Sequence, residues 1–98
     1  MDLVNVYARD ISASVNAGKM SALEVAEIFM DKIDRENKDL NAFISIRMDE
    51  AIDFARGIDE SEQKCRLSGV PIAISDNIAL IGEVMTCGSK MLENYRSP

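Results

Sequence analysis

The sequence contains no histidine and no tryptophan, and only two cysteines and two prolines among its 98 residues. Without histidine the chain lacks the commonest metal ligand and the usual neutral-pH base. Cys65 and Cys87 are not at metal-ligand spacing, so no zinc site and no cofactor are expected. Two thiols in a chain with no secretory signal read as free cysteines rather than a disulfide. The first residues, Met1-Asp2-Leu3-Val4-Asn5, have neither the basic start nor the apolar stretch of a signal peptide. No apolar run approaches the roughly 18 residues needed to span a bilayer. Clustered positive charge is missing too: 17 acidic residues outnumber 11 basic ones, for a net charge of −6. Lys32, Arg35 and Lys38 share a helical stretch with Asp31, Asp34 and Glu36, which reads as a solvated face. Nucleic-acid binding draws on basic clusters that displace counterions, and this chain offers none. The expectation is a cytoplasmic chain with no membrane association and no direct nucleic-acid contact.

What is present is globular. The hydrophobic fraction is 47%, without low-complexity tracts, and residues 1–98 suit one domain of modest stability margin. A first helix is expected over residues 10–18, capped by Asp10, with Ile11 and Val15 on one face and Gly18 as its left-handed stop. Val4, Tyr7 and Ala8 continue the spacing and allow an earlier start. Ser21-Ala22-Leu23-Glu24 forms a capping box. Behind it Ala22, Val25, Ala26, Phe29, Met30 and Ile33 make an apolar stripe, predicting a helix over residues 22–36 with Phe29 and Met30 in the core. A third helix is expected over residues 50–61, capped by Asp49, with Ala51, Ile52, Ala55 and Ile58 buried.

Two segments read as strands. Residues 42–47 are β-branched and partly alternating. Residues 70–74, Val-Pro-Ile-Ala-Ile, form a continuous apolar run of the kind buried on both faces of a sheet. Pro71 suits only a position where its nitrogen owes no ladder bond. Residues 78–84 are a further apolar stretch, and a last helix is expected over residues 90–95, capped by Ser89. The alternation implies an α/β fold: a small mixed sheet with covering helices.

Ser75, Asp76 and Asn77 follow the buried run, at the strand end where open α/β sheets bind ligands. Thr86, Cys87 and Ser89 are candidates for the wall of the same site. Ser75 has no histidine to activate it and no nucleophile-elbow sequence around it. Asp76 and Asn77 can each hold a backbone turn, so the residues alone leave both a structural turn and an active-site segment open. Cys87 precedes a helix start, which favours a thiolate, yet it lacks a base partner. A small buried or semi-buried role is the reading taken for it.

Leu67-Ser68-Gly69-Val70-Pro71-Ile72-Ala73-Ile74-Ser75-Asp76-Asn77-Ile78 resembles the strand and turn of the amidase signature family, whose pattern is L-x-G-[IV]-P-[IV]-[AGS]-[IVL]-K-D-N. Within that family, Thr86-Cys87-Gly88-Ser89-Lys90-Met91-Leu92-Glu93-Asn94-Tyr95 is similar to a stretch of the glutamyl-tRNA(Gln) amidotransferase A-subunit branch. Ser21-Ala22-Leu23-Glu24-Val25 and Leu40-Asn41-Ala42-Phe43-Ile44 fit its first helix and strand. The resemblance implies the N-terminal part of a large α/β enzyme with a Ser–cis-Ser–Lys triad. In it an uncharged lysine draws a proton through the cis-serine so that the serine nucleophile attacks an amide. In the tRNA-dependent branch that amide is glutamine, and the ammonia passes to a partner that activates Glu-tRNA(Gln).

Two departures follow. Ser75 stands where the pattern has lysine, and the 98 residues contain no glycine- and serine-rich stretch like the one that carries the family's serines. The expectation is therefore a truncated, inactive relative or fragment without an intact triad. It would retain a structural or binding role towards amidotransferase C or B subunits, or through self-association. The alternatives are half of a split amidase needing a C-terminal complement, and an independent protein-interaction module.

Overall fold

The structure, a computed structural model, describes Leu3 and residues 5–98; Met1, Asp2 and Val4, the last of which entered the helical spacing above, lie outside the described residues. Three helices carry the architecture: α1 (Ala8–Asn16), α2 (Ala22–Leu40) and α3 (Met48–Glu60), followed by a single 3-10 turn at Lys90–Leu92.

Helix α1 ends as its sequence dictates. Gly18, at φ +73°, takes the left-handed position after the Ala17 cap. Its N–H donates to the Val15 carbonyl at 3.1 Å, and the Lys19 N–H reaches the Ser14 carbonyl at 3.0 Å, which together form a Schellman closure. Helix α2 begins on the capping box: the Glu24 N–H donates to Ser21 Oγ, and the Ser21 N–H to Glu24 Oε2, both at 3.0 Å. Asp59 of α3 adds what the sequence did not show. Its two carboxylate oxygens accept from the Ala22 and Leu23 N–H groups at 2.7 and 3.0 Å. Helix α2 thus presents its first turn to two carboxylates, which its dipole favours. It runs four residues beyond the expected end, to Leu40, and stops at Asn41 in the left-handed conformation. Helix α3 starts at Met48 with Arg47 at its cap, so Asp49 is an acidic first-turn residue instead of the cap expected.

The core is made mostly of small side chains: Leu3, Ile11, Val15, Ala22, Val25, Ala26 and Ala55 are buried, with Phe29, Ile52, Ile58 and Val70 packed against them. Residues 65–70 are strapped across α1. The Cys65 carbonyl accepts from Asn16 Nδ2 at 2.9 Å and, more weakly, from the buried Ser12 hydroxyl at 3.5 Å. The Cys65 N–H donates to Ser68 Oγ at 2.9 Å. Gly69, at φ +77°, makes the strap possible, because a Cβ there would meet Val15 Cγ2 at 2.9 Å and Ala22 Cβ at 3.2 Å.

The expected small mixed sheet is not seen. Among the described residues there is no strand, only an isolated antiparallel bridge between Val84 and Arg96. A strand exists only by virtue of a ladder, and propensity without a neighbour does not supply one. No backbone group of residues 71–74 bonds to another part of the described backbone, and Ile72 is 75% exposed. Residues 42–47 have no ladder either. There the Phe43 N–H and carbonyl are held by the Asn37 side chain at 2.9 and 3.3 Å. The α/β expectation therefore gives way to a helical architecture with irregular arms. The last helix, expected over residues 90–95, is only the 3-10 turn, although Ser89 does cap it, accepting from the Met91 N–H at 3.3 Å.

Gly18 and Gly69, both at positive φ, should respond differently to alanine. Gly18→Ala has open space around its new Cβ and should cost about 1 kcal/mol from the left-handed backbone alone. Gly69→Ala adds a clash in the packed seam and should cost roughly 2–5 kcal/mol. Urea unfolding midpoints of the two variants measure the difference, and equal losses would contradict the close approach at Gly69.

Candidate functional site

Residues 75–78 form a turn closed by the Ile78 N–H donating to the Ser75 carbonyl at 3.0 Å. Its organising group is the half-buried Asp76 carboxylate. The Thr86 N–H donates to Oδ1 at 2.9 Å, the Thr86 hydroxyl donates to Oδ2, and the Gly88 N–H donates to Oδ2 at 3.1 Å. The Gly88 N–H also points at Thr86 Oγ1 at 3.2 Å, so that hydroxyl accepts from one side and donates to the carboxylate on the other. The Cys87 N–H donates to the Asp76 carbonyl at 3.3 Å, and the Ser89 N–H to the Thr86 carbonyl at 2.8 Å. Residues 86–89 are thereby wrapped around one aspartate. The Thr86 hydroxyl, then the Thr86 and Gly88 amides, hold Asp76 below its ordinary value of 3.8, against an opposing effect of burial.

The wrapping forces the backbone. Cys87 sits at φ +51°, a left-handed conformation uncommon for a residue with a Cβ. Its thiol is free and exposed, which corrects the buried or semi-buried role expected from the sequence; the tight turn points it outward. Cys65 is likewise free and exposed.

The arm that carries Thr86 is closed on itself. The Met85 N–H donates to the Tyr95 carbonyl at 3.0 Å, the Gly82 N–H to the Ser97 carbonyl at 2.7 Å, and the Ser97 N–H to the Glu83 carbonyl at 2.9 Å. Arg47 ties this arm to the start of α3 by pairing with both Glu83 and Glu50, the latter at 2.9 Å. Neither the Arg47–Glu83 link nor the Gly88 amide was singled out from sequence. The glycine following a cysteine-bearing turn was a signal for the second, and nothing local signalled the first.

Of the six sequence-predicted site residues, Asp76, Thr86, Cys87 and Ser89 are brought together. Ser75 and Asn77 are exposed at the edge of the turn, and neither side chain has a hydrogen-bond partner among the described residues. The geometry can hold a loop pair rigidly, but it sets no base beside Ser75. A separate open apolar groove lies between α3 and the strap, lined by Phe54, Gly57, Ile58, Cys65 and Leu67, and does not reach Asp76.

The Amidase family model matches residues 24–98, and the chain belongs to the amidase family. Among curated relatives, the glutamyl-tRNA(Gln) amidotransferase A subunit of Aromatoleum aromaticum is 37% identical over 99 residues, covering 98% of this chain and 20% of that protein. The protein of the same name from Fusobacterium nucleatum is 37% identical over 98 residues, covering 96% and 20%. That of Carboxydothermus hydrogenoformans is 35% identical over 102 residues, covering 100% and 21%. The chain spans about a fifth of the length of the curated relatives it matches. No solved structure matches it. The resemblance read from residues 67–78 and 86–95 is borne out. Among the described residues no helix is long and apolar enough to cross a membrane.

The Asp76 cluster makes a pH prediction. A carboxyl held below its unfolded value contributes stability that is fully present above that value and is lost as pH falls through the depressed folded one. The Thr86 and Gly88 amide resonances should therefore hold constant from neutral pH down to the ordinary carboxylate range and move only below it. Asp76→Asn should abolish that acid-side titration, and an NMR pH series on both proteins reads the result.

Proposed function

We propose that this chain is a non-catalytic member of the amidase family, related to part of the amidotransferase A subunits, whose remaining role is binding. The observation that carries this reading is the exposed hydroxyl of Ser75, without a hydrogen-bond partner among the described residues, in a turn built around Asp76. The family pattern has lysine at that position. A lysine can be kept uncharged by burial and then take a proton. A serine hydroxyl is too weak a base, and its side chain is too short to reach the same point. The 98 residues also hold no histidine to take its place. Loss of the base alone costs several powers of ten in comparable triads.

The groove beside α3 supports the binding role. Phe54 is 76% exposed there and Leu67 61%, which gives an apolar anchor site of the kind that partner side chains fill. The C or B subunit of an amidotransferase is the partner proposed for it.

Incubating the purified chain with glutamine should release no ammonia above the blank. Immobilised chain should retain a C or B subunit, and Phe54→Ala should weaken that retention by about tenfold or more, as loss of an aromatic anchor does. Ammonia release that scales with protein concentration would sink the non-catalytic reading. Hydrolysis regained by the unmodified chain on adding the remainder of an A subunit would favour a split enzyme instead.

A further inference from the structure

Three donors converge on Asp76, and they are divided between its two oxygens. The Thr86 N–H donates to Oδ1 at 2.9 Å, whereas the Thr86 hydroxyl and the Gly88 N–H, the latter at 3.1 Å, donate to Oδ2. That division defines the acceptor. A carboxylate offers two acceptor oxygens and no donor, while an amide of the same shape offers one oxygen and one NH2. Whichever way an amide lay here, its NH2 would face the N–H of Thr86 or that of Gly88. The seat therefore selects a carboxylate over its amide. The same donors, the Thr86 hydroxyl foremost, favour the ionised carboxyl over the neutral one.

Packing does not hold the donors in place. Cys87 at φ +51° and Gly88 at φ +73° are successive left-handed residues. Cys87 is exposed, and nothing lies within 4 Å of the point where a Cβ on Gly88 would sit. A left-handed residue that carries a Cβ persists only where its surroundings over-determine it. Here they do so through Asp76. All four bonds that join residues 86–89 to the 75–78 turn end on it, three at the carboxylate and one from the Cys87 N–H at its carbonyl, 3.3 Å away.

We propose that residues 86–88 form a carboxylate-binding loop whose ligand the chain supplies itself, as the side chain of Asp76. Seated and ionised, Asp76 latches the two turns together. Without it, the 86–89 turn gives up its left-handed course. In the intact chain an incoming carboxylate, such as that of a free amino acid, finds these donors taken. The latch rests on neither the binding nor the non-catalytic reading, so a failed glutaminase or subunit-capture result leaves it standing.

The test removes the ligand and returns it from solution. Asp76→Ala deletes the carboxylate and leaves a gap of formate's size, reachable because Asp76 is only half-buried. In this variant the Thr86 and Gly88 amide resonances should leave their positions in the unmodified chain, with helical circular dichroism unchanged. Sodium formate should return them saturably, with half its effect on the order of 1–100 mM, the range open to a ligand of so few atoms. Formamide should not, nor should sodium chloride at matched ionic strength. Formate should leave the same resonances of the unmodified chain in place, and Asp76→Asn should resemble Asp76→Ala. The proposal is overturned if Asp76→Ala or Asp76→Asn keeps the original resonances, if formate fails to restore them, or if formamide or chloride serves as well. Formate that moves them in the unmodified chain overturns it too. So does loss of the helices in Asp76→Ala, since the latch joins two turns and no helix.

Discussion

The Cys65 carbonyl is the point from which the second half of the chain hangs. Asn16 and Ser12 of α1 hold it from below, and Gly69 lets the following turn settle against Val15 and Ala22 at a distance that no other residue would allow. Without that strap, residues 70–98 would have little to fix their direction, because the buried core belongs almost wholly to α1, α2 and α3. The constraint is steric and short-ranged. It is also economical, since two polar side chains and one missing methyl group set the path by which the chain reaches Asp76.

Beyond the strap, order comes from charge rather than from packing. Asp76 collects the donors of residues 86–88, and Arg47 joins Glu83 to the start of α3. Both centres sit near the surface, where ionic contacts are screened and individually weak. The arm of residues 82–97 is consequently defined by directional bonds around a few groups and not by a core of its own.

The helical half was legible because helix signals are local. Ser21 and Glu24 are three residues apart and satisfy each other, and the stripe from Ala22 to Ile33 is read within one element. Ala51, Ile52, Ala55 and Ile58 were found in the same way. The sheet was misjudged because a strand's stability lies in its neighbour, which the apolar run at residues 70–74 cannot name. Propensity identified an apolar, β-branched segment and then overstated what it does alone. At the site, Asp76 was singled out by its place after that run, and the structure joins it to Thr86 by two hydrogen bonds. The outward thiol of Cys87 was missed because it follows from a left-handed backbone, and residue type alone argues against that conformation.

Helix α2 illustrates how uneven the resulting molecule is. Its 19 residues span about 28 Å. The buried positions, Ala22, Val25 and Ala26, lie in its first turns, while Leu40 at the far end is 68% exposed. The distal half is held by its own ladder and by surface pairs such as Asp31 with Arg35 at 3.0 Å and Lys32 with Glu36 at 2.7 Å, each worth only a few tenths of a kcal/mol. Amide exchange along this one helix should run as a gradient, slowest beneath the capping box and fastest towards Asn41. The far end is tied to the chain that follows it mainly through Asn37, whose side chain holds the Phe43 N–H and carbonyl at 2.9 and 3.3 Å.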